Sequence, residues 1–356
     1  MNLSDFDYEL PAEQIAQQPI EPRDAARLMV IDRQSGALTH RYFGDIVEFF
    51  SPGDVLVFNQ TRVIPARLRG TKVPGGGQAE FLLLKRRTGE EWEGIIGGKN
   101  ITEGTELSFS ANGLNIGATV IEAGERNERT LRFESSLDGL LDSLGEVPLP
   151  PYIHEPLNDR ERYQTVYARD PGSAAAPTAG LHFTADLLIA LRRQGVQFAY
   201  CTLHIGLDTF QPVTVEEIEH HNMHREWTEL TADNARIINE AKLAGKQIVA
   251  VGTTSVRTLE TAALRSAGVD DPYRAEGDMC AWRPVIALEE ETDLFIRPGY
   301  RFRVVDRMIT NFHLPKSTLL MLVSAFAGRD LIMQAYATAR DEGYRFYSFG
   351  DATLLC

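Results

Sequence analysis

The chain has 356 residues, 43% of them apolar and 24% charged, with a formal net charge of −14 at pH 7, which describes a globular protein long enough for about two domains. Its three scattered cysteines, Cys201, Cys280 and Cys356, are too few for a disulfide framework and fit a reducing, cytoplasmic setting. The acidic start has no secretory core, the apolar run at 319–327 falls far short of the ~20 residues that span a bilayer, and the net acidity excludes clamping a long duplex, so any nucleic acid must be gripped locally.

In chain order, the first sixty residues carry one clear strand, at 55–58. From about 62 to 133 the pattern is all-β. Short apolar runs at 81–84, 92–96, 116–121 and 130–133 alternate with turns such as Pro74-Gly75-Gly76-Gly77 and Asn112-Gly113, which predicts a small antiparallel barrel or sandwich. A helix over 137–144 follows, and Pro148-Leu149-Pro150-Pro151 reads as a rigid linker.

Beyond the linker, strands at 198–203, 247–251 and 293–296 alternate with helices at about 184–195, 214–222, 232–244, 256–267, 317–327 and 329–342. Thr184 and Ser317 are N-cap residues, and Thr214 with Glu217 makes a capping box. This rhythm predicts an α/β layered domain with a mixed sheet, formed by residues 1–61 and 151–356. The strand at 55–58 joins that sheet, and residues 62–150 form a small antiparallel β-barrel domain inserted into it.

Three runs place a histidine among small, hydroxylated and aromatic residues at element junctions: Pro177-Thr178-Ala179-Gly180-Leu181-His182-Phe183, Thr202-Leu203-His204-Ile205-Gly206 and Thr310-Asn311-Phe312-His313-Leu314-Pro315. Imidazole moves protons near neutral pH, so His182, His204 and His313 are the candidate acid–base group of one site assembled from separate loops. Singly, each would more often be a core or capping histidine. Phe183, Phe210 and Phe312 are ordinary core residues or aromatic faces for a cationic ligand.

In open α/β sheets ligands gather where strands end and helices begin. The run 249–257 is such a junction: Gly252, Thr253, Thr254 and Ser255 at a helix N-terminus, with Arg257, offer donors to an anion. A well-capped helix with a surface arginine is equally consistent. Asp306 and Asp351, in apolar surroundings, are candidates to read a guanine-like edge, or else a cap and an ion pair. His220, His221 and His224 have partial metal spacing without a third ligand; a solvated helix end is the better reading, and no metal is expected. Arg62, Arg67, Arg69 and Lys72 form a basic cluster at the barrel entrance, of a size to grip a hairpin loop, and Lys85-Arg86-Arg87 a second.

Taken together, these motifs resemble the S-adenosylmethionine:tRNA ribosyltransferase-isomerase family of the queuosine pathway. The likeness runs nearly end to end. It includes Phe6-Asp7-Tyr8-Glu9-Leu10-Pro11, the run 59–68, Pro150-Pro151-Tyr152-Ile153, Tyr163-Gln164-Thr165-Val166-Tyr167, the three histidine runs, the run 251–257 and Gly350-Asp351-Ala352. The resemblance implies an α/β domain with an inserted barrel. It also implies transfer and isomerisation of the ribosyl unit of S-adenosylmethionine onto 7-aminomethyl-7-deazaguanine at the tRNA wobble position, giving epoxyqueuosine, adenine and methionine.

On that reading S-adenosylmethionine is a consumed substrate and no prosthetic group is needed. The partner is the tRNA anticodon stem-loop, and a monomer without protein partner or membrane is expected. His182 and His204 would divide the proton transfers while His313 positions one of them. Pro177, Thr178, Gly180, Phe183, Asn311 and Phe312 would line the substrate site. Thr253, Thr254, Ser255 and Arg257 would hold the methionine carboxylate or ribose hydroxyls, and Asp306 or Asp351 would read the base. Asp208 stands where the family usually has glycine, and Ala174 where it has valine. The rival readings are a methyltransferase, whose usual glycine-rich first strand–helix turn is not found, and a non-catalytic RNA-binding protein.

Overall fold

The run Val55-Leu56-Val57-Phe58 has no polar face, and all four side chains are fully buried, as a strand covered on both sides requires. It lies at the centre of the main sheet in the computed structural model, which describes residues 1–124, 127–206, 213, 215–273 and 282–356. Asp208, Phe210, the Thr214 cap and Cys280 lie outside the described residues.

Among the described residues the strands begin with β1 (Arg27–Ile31), β2 (Leu38–Tyr42), β3 (Val55–Asn59) and β4 (Thr61–Val63). The barrel strands follow: β5 (Arg67–Val73), β6 (Gln78–Arg86), β7 (Glu91–Gly97), β8 (Glu106–Ala111), β9 (Leu114–Ala123), β10 (Glu128–Phe133) and β11 (Gly145–Glu146). After them come β12 (Asp170–Ser173), β13 (Gln197–Leu203), β14 (Glu226–Leu230), β15 (Ile248–Val251), β16 (Leu288–Thr292), β17 (Arg307–Asn311) and β18 (Ala352–Leu355). The helices are α1 (Leu141–Leu144), α2 (Ala185–Arg193), α3 (Ala232–Leu243), α4 (Thr253–Ala267), α5 (Thr318–Ala327) and α6 (Arg329–Asp341).

The main sheet has the order β16-β14-β13-β3-β15-β17-β18-β1-β2. Its four central strands, β13, β3, β15 and β17, are parallel, so their C-terminal residues Leu203, Asn59, Val251 and Asn311 share one edge. β18 returns antiparallel and sets Ala352 opposite Asn311 at that same edge. Side chains alternate across the sheet. Val55 and Val57 pack with α3, α4, α5 and α6, while Leu56 and Phe58 pack with α2 and the 3₁₀ segment Phe43–Phe49. The result is a layered mixed sheet, as expected.

The second sheet runs β11-β5-β6-β7-β10-β9-β8, and pairing of β5 with β8 closes six of its strands into a barrel. Phe81, Phe109 and Phe133 meet in its interior with ring centroids 5.8–6.5 Å apart. Short alternating strands leave no unpaired edge once closed.

Several elements depart from expectation. β1 and β2 were not anticipated: β1 is short and apolar, while β2 is a largely exposed edge strand with no apolar stripe. Residues 293–296 are not a strand; the pairing lies just before them, in the acidic β16. Helix 137–144 is reduced to its last turn, α1. In place of a helix at 214–222 the described residues contain only a 3₁₀ turn, Ile218–His220, so His220 and His224 do not share a helix face. Thr184 and Ser317 do cap their helices, accepting from the N–H of Leu187 (3.2 Å) and Leu320 (3.1 Å). No single helix among the described residues is long and apolar enough to cross a membrane; apolar α5 is followed by α6 across a 115° bend.

Candidate active site

The C-terminal edge of the parallel strands opens into a cavity of about 690 Å³, the open solvent at its mouth included. Three of its walls are the predicted junctions. The turn after Pro177 presents Thr178, the end of β17 presents Asn311, Phe312 and His313, and the start of α4 presents Thr253 and Thr254. Tyr152, Ile205, Gly252, Ser317, Tyr347 and Ser348 complete most of the lining.

Asn311 is the hub. Its Oδ1 accepts from Thr178 Oγ1 at 3.1 Å, and its Nδ2 donates to His182 Nε2 and to the Tyr347 carbonyl, both at 3.2 Å. An Nε2 that accepts must be bare, so His182 carries its proton on Nδ1. His313 Nε2 lies 2.9 Å from Thr310 Oγ1, its backbone N–H donates to Tyr336 Oη at 2.9 Å, and its carbonyl accepts from Tyr8 Oη. Burial pushes His313 down to about 3; burial, reinforced by Arg345 and Arg23, does the same to His182. Both rings are therefore neutral near pH 7, able to accept a proton or a hydrogen bond but not to act as stored acids.

Two helix N-termini face the cavity. Gly252 (φ +87°) turns the chain from β15 into α4, and Ser317 caps α5. A left-handed φ favours glycine, and the turn leaves the first N–H groups of α4 beside Thr253 and Thr254 in the lining, where dipole and donors suit an anion. Tyr347 also has a left-handed backbone (φ +71°), held by its N–H to the Phe312 carbonyl (3.1 Å) and by two donors on its own carbonyl, Asn311 and Gly350. Strain of this kind in a non-glycine residue costs of order 1–3 kcal/mol and collects at functional sites. The Tyr347 ring meets Tyr152 at 4.8 Å, and Tyr152 Oη bonds Ser348 Oγ at 2.7 Å. Burial pushes the Tyr152 phenol up to about 12.

The other sequence candidates lie elsewhere. His204 follows β13 but points away from Ile205, which lines the cavity. Its Nδ1 bonds Thr61 Oγ1 at 2.8 Å, its ring stacks on Trp227 at 5.0 Å, and burial lowers its pKa although the nearby Asp170 carboxylate acts to raise it. Ser255 is buried one turn into α4, donating to the Val251 carbonyl. Arg257 is not a surface arginine: it is buried against the Glu226 carboxylate and the Leu294 and Thr292 carbonyls. Phe183 is core, edge-on to Phe43 and Phe58, and Gly180 is buried beneath Tyr167.

Asp306 precedes β17 at the opposite edge of the sheet, paired with Lys242 at 2.8 Å and capping the Ile248 N–H. Asp351 accepts from the N–H groups of Arg27 and Arg345, so its oxygens are engaged in holding the chain, not in reading a base. The three arginines of the cluster at the barrel entrance are paired with carboxylates, Arg62 with Glu161, Arg67 with Glu80 and Arg69 with Glu146, while Lys72 donates to the Lys99 carbonyl. No group of three metal-ligating side chains occurs among the described residues.

The sequence does not single out Tyr152, Ser317, Tyr347 or Ser348 as walls of the site, whereas Gly252 belongs to the expected junction. Tyr152 directly follows Pro150-Pro151, and that rigid approach was the available signal. Tyr347-Ser348 offered none, because a positive φ at tyrosine is not written in residue type.

The family model described as queuosine biosynthesis protein matches residues 3–355. A curated relative from Symbiobacterium thermophilum, named S-adenosylmethionine:tRNA ribosyltransferase-isomerase, is 53% identical, covering 100% of both chains. The crystal structure of an S-adenosylmethionine tRNA ribosyltransferase from Thermotoga maritima is 38% identical and aligns with a TM-score of 0.54, covering 99% of this chain and 100% of that one. A cavity at the parallel-strand edge and a likeness that runs the whole length of the sequence lead to one conclusion: the chain belongs to the queuosine biosynthesis family of S-adenosylmethionine:tRNA ribosyltransferase-isomerases.

Proposed function

We infer that this chain transfers and isomerises the ribosyl unit of S-adenosylmethionine onto 7-aminomethyl-7-deazaguanine at the wobble position of a tRNA anticodon stem-loop. The products are epoxyqueuosine-bearing RNA, adenine and methionine. The observation that carries this reading is the cavity at the strand edge, walled by Asn311, His313, Thr178 and two helix N-termini. No prosthetic group is called for, since the sulfonium of S-adenosylmethionine supplies the activation. The proposed setting is a cytoplasmic monomer, with residues 62–150 as the inserted domain and 1–61 with 151–356 as the catalytic one.

Hydrogens on the carbon beside a sulfonium are acidified, and a neutral imidazole can take one. We assign that acceptance to His313, which lines the cavity and whose imidazole stays unprotonated near pH 7. His182 lies behind Asn311 and fixes its amide, so it acts as a positioning residue. The first N–H groups of α4, with Thr253 and Thr254, take the methionine carboxylate. Aromatic faces of Tyr152, Phe312 and Tyr347 suit the sulfonium cation. Bases in a single-stranded loop can be splayed into such a pocket.

The test is incubation with S-adenosylmethionine and a stem-loop carrying the aminomethyl base, followed by mass spectrometry. Adenine and methionine released one for one with RNA modified by a ribosyl-derived unit is the expected result. S-adenosylhomocysteine with methylated RNA would establish the methyltransferase alternative instead, and RNA binding without any turnover the non-catalytic one.

A further inference from the structure

A second, smaller cavity, about 270 Å³ with the open solvent at its mouth included, adjoins the first: Ser348 lines both, and His182, bonded to Asn311 of the first, lines the second. Its walls carry two guanidinium side chains, Arg23 and Arg162, and no carboxylate. Arg23 donates to the carbonyls of Gln164 (2.8 Å) and Glu161 (2.9 Å), and Arg162 to that of Ile20 (2.7 Å). These bonds fix where the cations point without cancelling their charge. Arg162 has an ion-pair partner, the largely exposed Glu21 at 2.8 Å. Among the described residues Arg23 and Arg345 have no carboxylate within ion-pair distance, and Arg345 is tied to the Gln18 carbonyl.

Two guanidinium groups thus share the lining of one cavity in a chain with net charge −14, with the carboxylates near them, Glu21, Asp159 and Glu161, outside that lining. Arg23 is held below its usual range by burial and by Arg162, and both Arg23 and Arg345 help keep His182 neutral. Concentrated, carbonyl-anchored guanidinium groups around an open cavity are the chemistry of an oxyanion site with several acceptor oxygens. Arg62, Arg67 and Arg69 at the barrel entrance, unlike Arg23, already pair with carboxylates.

We propose that this second cavity is a phosphate subsite that takes a phosphodiester of the RNA strand beside the nucleotide reacting in the first cavity. The proposal rests on the functional reading above and adds to it where the strand is held. An acidic protein then binds RNA by one local contact set next to the chemistry, with the phosphate fixing register and the first cavity reading the base.

Binding of a fluorescent anticodon stem-loop to the full chain, without turnover, tests it. Stem-loops with a single neutral methylphosphonate on either side of the wobble nucleotide are compared with the natural one, for the wild type, Arg162→Gln and Arg23→Gln. One flanking methylphosphonate is expected to weaken wild-type binding about tenfold, the order of one charged hydrogen bond, and to weaken the arginine variants little further. Each arginine removed should make the slope of log K against log salt shallower by about 0.7.

Wild-type binding indifferent to both linkages, or losses from a folded variant and methylphosphonate that simply multiply, would overturn the proposal, and the first of these outcomes needs no variant. Inorganic phosphate that binds the wild type and is lost in Arg162→Gln, with no linkage effect, would show a free-phosphate site and also overturn it. Absence of adenine release by the wild type on the natural stem-loop is read separately and strikes only the functional reading.

Discussion

The side-chain amide of Asn311 donates to Nε2 of His182 at 3.2 Å, joining two histidine runs that lie 129 residues apart. The same amide group holds the strained Tyr347 carbonyl and accepts from Thr178. One buried side chain therefore sets the relation of three walls of the cavity, and truncating it orphans His182 Nε2 and the Thr178 hydroxyl while the Tyr347 carbonyl keeps only its Gly350 donor.

Asn311→Ala is expected to lose about 2–4 kcal/mol of stability, the order of two orphaned polar groups, together with at least a tenfold fall in kcat/KM. Calorimetry and adenine release measure the two effects. Wild-type values of both would refute the hub role. Asn311→Asp should do no better, because a carboxylate cannot donate to a bare Nε2.

The neutral state of His182 and His313 gives a signed pH dependence. Each titrates near 6.5 in the unfolded chain and near 3 in the folded one. Between those values the unfolded state binds more protons, so unfolding free energy rises with pH there and becomes flat, from these groups, above about 6.5. Lowering pH from 6.5 toward 4 should cost about 1.4 kcal/mol per unit for each imidazole. His182→Asn should reduce the slope by about that amount in denaturant titrations across pH. An unaltered slope would mean the ring is already charged when folded.

How much of this was readable beforehand depends on what kind of signal each residue leaves. Barrel strands and the caps Thr184 and Ser317 follow local pattern, and local pattern is what a sequence displays. β2 (Leu-Thr-His-Arg-Tyr) and β16 (Leu-Glu-Glu-Glu-Thr) are edge or near-edge strands whose pairing comes from neighbours, so no apolar alternation announced them. Among site candidates, residues at the ends of the parallel strands were found because strand–helix junctions are recognisable. Which face a side chain takes was not, since adjacent residues such as His204 and Ile205 diverge. Asp306 was misassigned because nothing local says which end of β17 meets the cavity.

Gly172 bears on His204. It has φ +152°, and a Cβ built there would lie 2.7 Å from His204 Nε2. Gly172→Ala should displace the imidazole from Trp227 at a cost of about 1–3 kcal/mol, visible as a red-shifted tryptophan fluorescence. If adenine release is then preserved, His204 has no part in the proton transfers; a steep loss of kcat with unchanged KM would return it to them.

Glu260 is a fully buried carboxylate in α4 that accepts from Tyr300 Oη and from the N–H groups of Arg303, Val304 and Val305. Burial raises its pKa while those bonds oppose the rise. It secures the segment leading into β17, whose far end carries Asn311 and His313. Glu260→Gln exchanges an acceptor oxygen for a donor facing donors, and about 2–4 kcal/mol of stability should be lost. The KM for S-adenosylmethionine should change less than the melting temperature suggests, because the residue touches no wall of the cavity.

Arg257 and Glu226 supply the sharpest contrast between a binding and a structural role. Both are nearly inaccessible, at 4% and 7% exposure, and Glu226 also accepts from the Gly206 N–H at 3.0 Å. Removing one partner strands a buried charge, which typically costs 3–5 kcal/mol, whereas replacing both with apolar groups of similar volume is often neutral. Arg257→Met alone should therefore destabilise strongly, and Arg257→Met with Glu226→Leu should recover most of the loss. In the double variant the KM for S-adenosylmethionine should stay within about twofold of wild type, a change of under 0.5 kcal/mol. A KM that remained raised tenfold in a double variant of restored stability would put the guanidinium back on the substrate carboxylate.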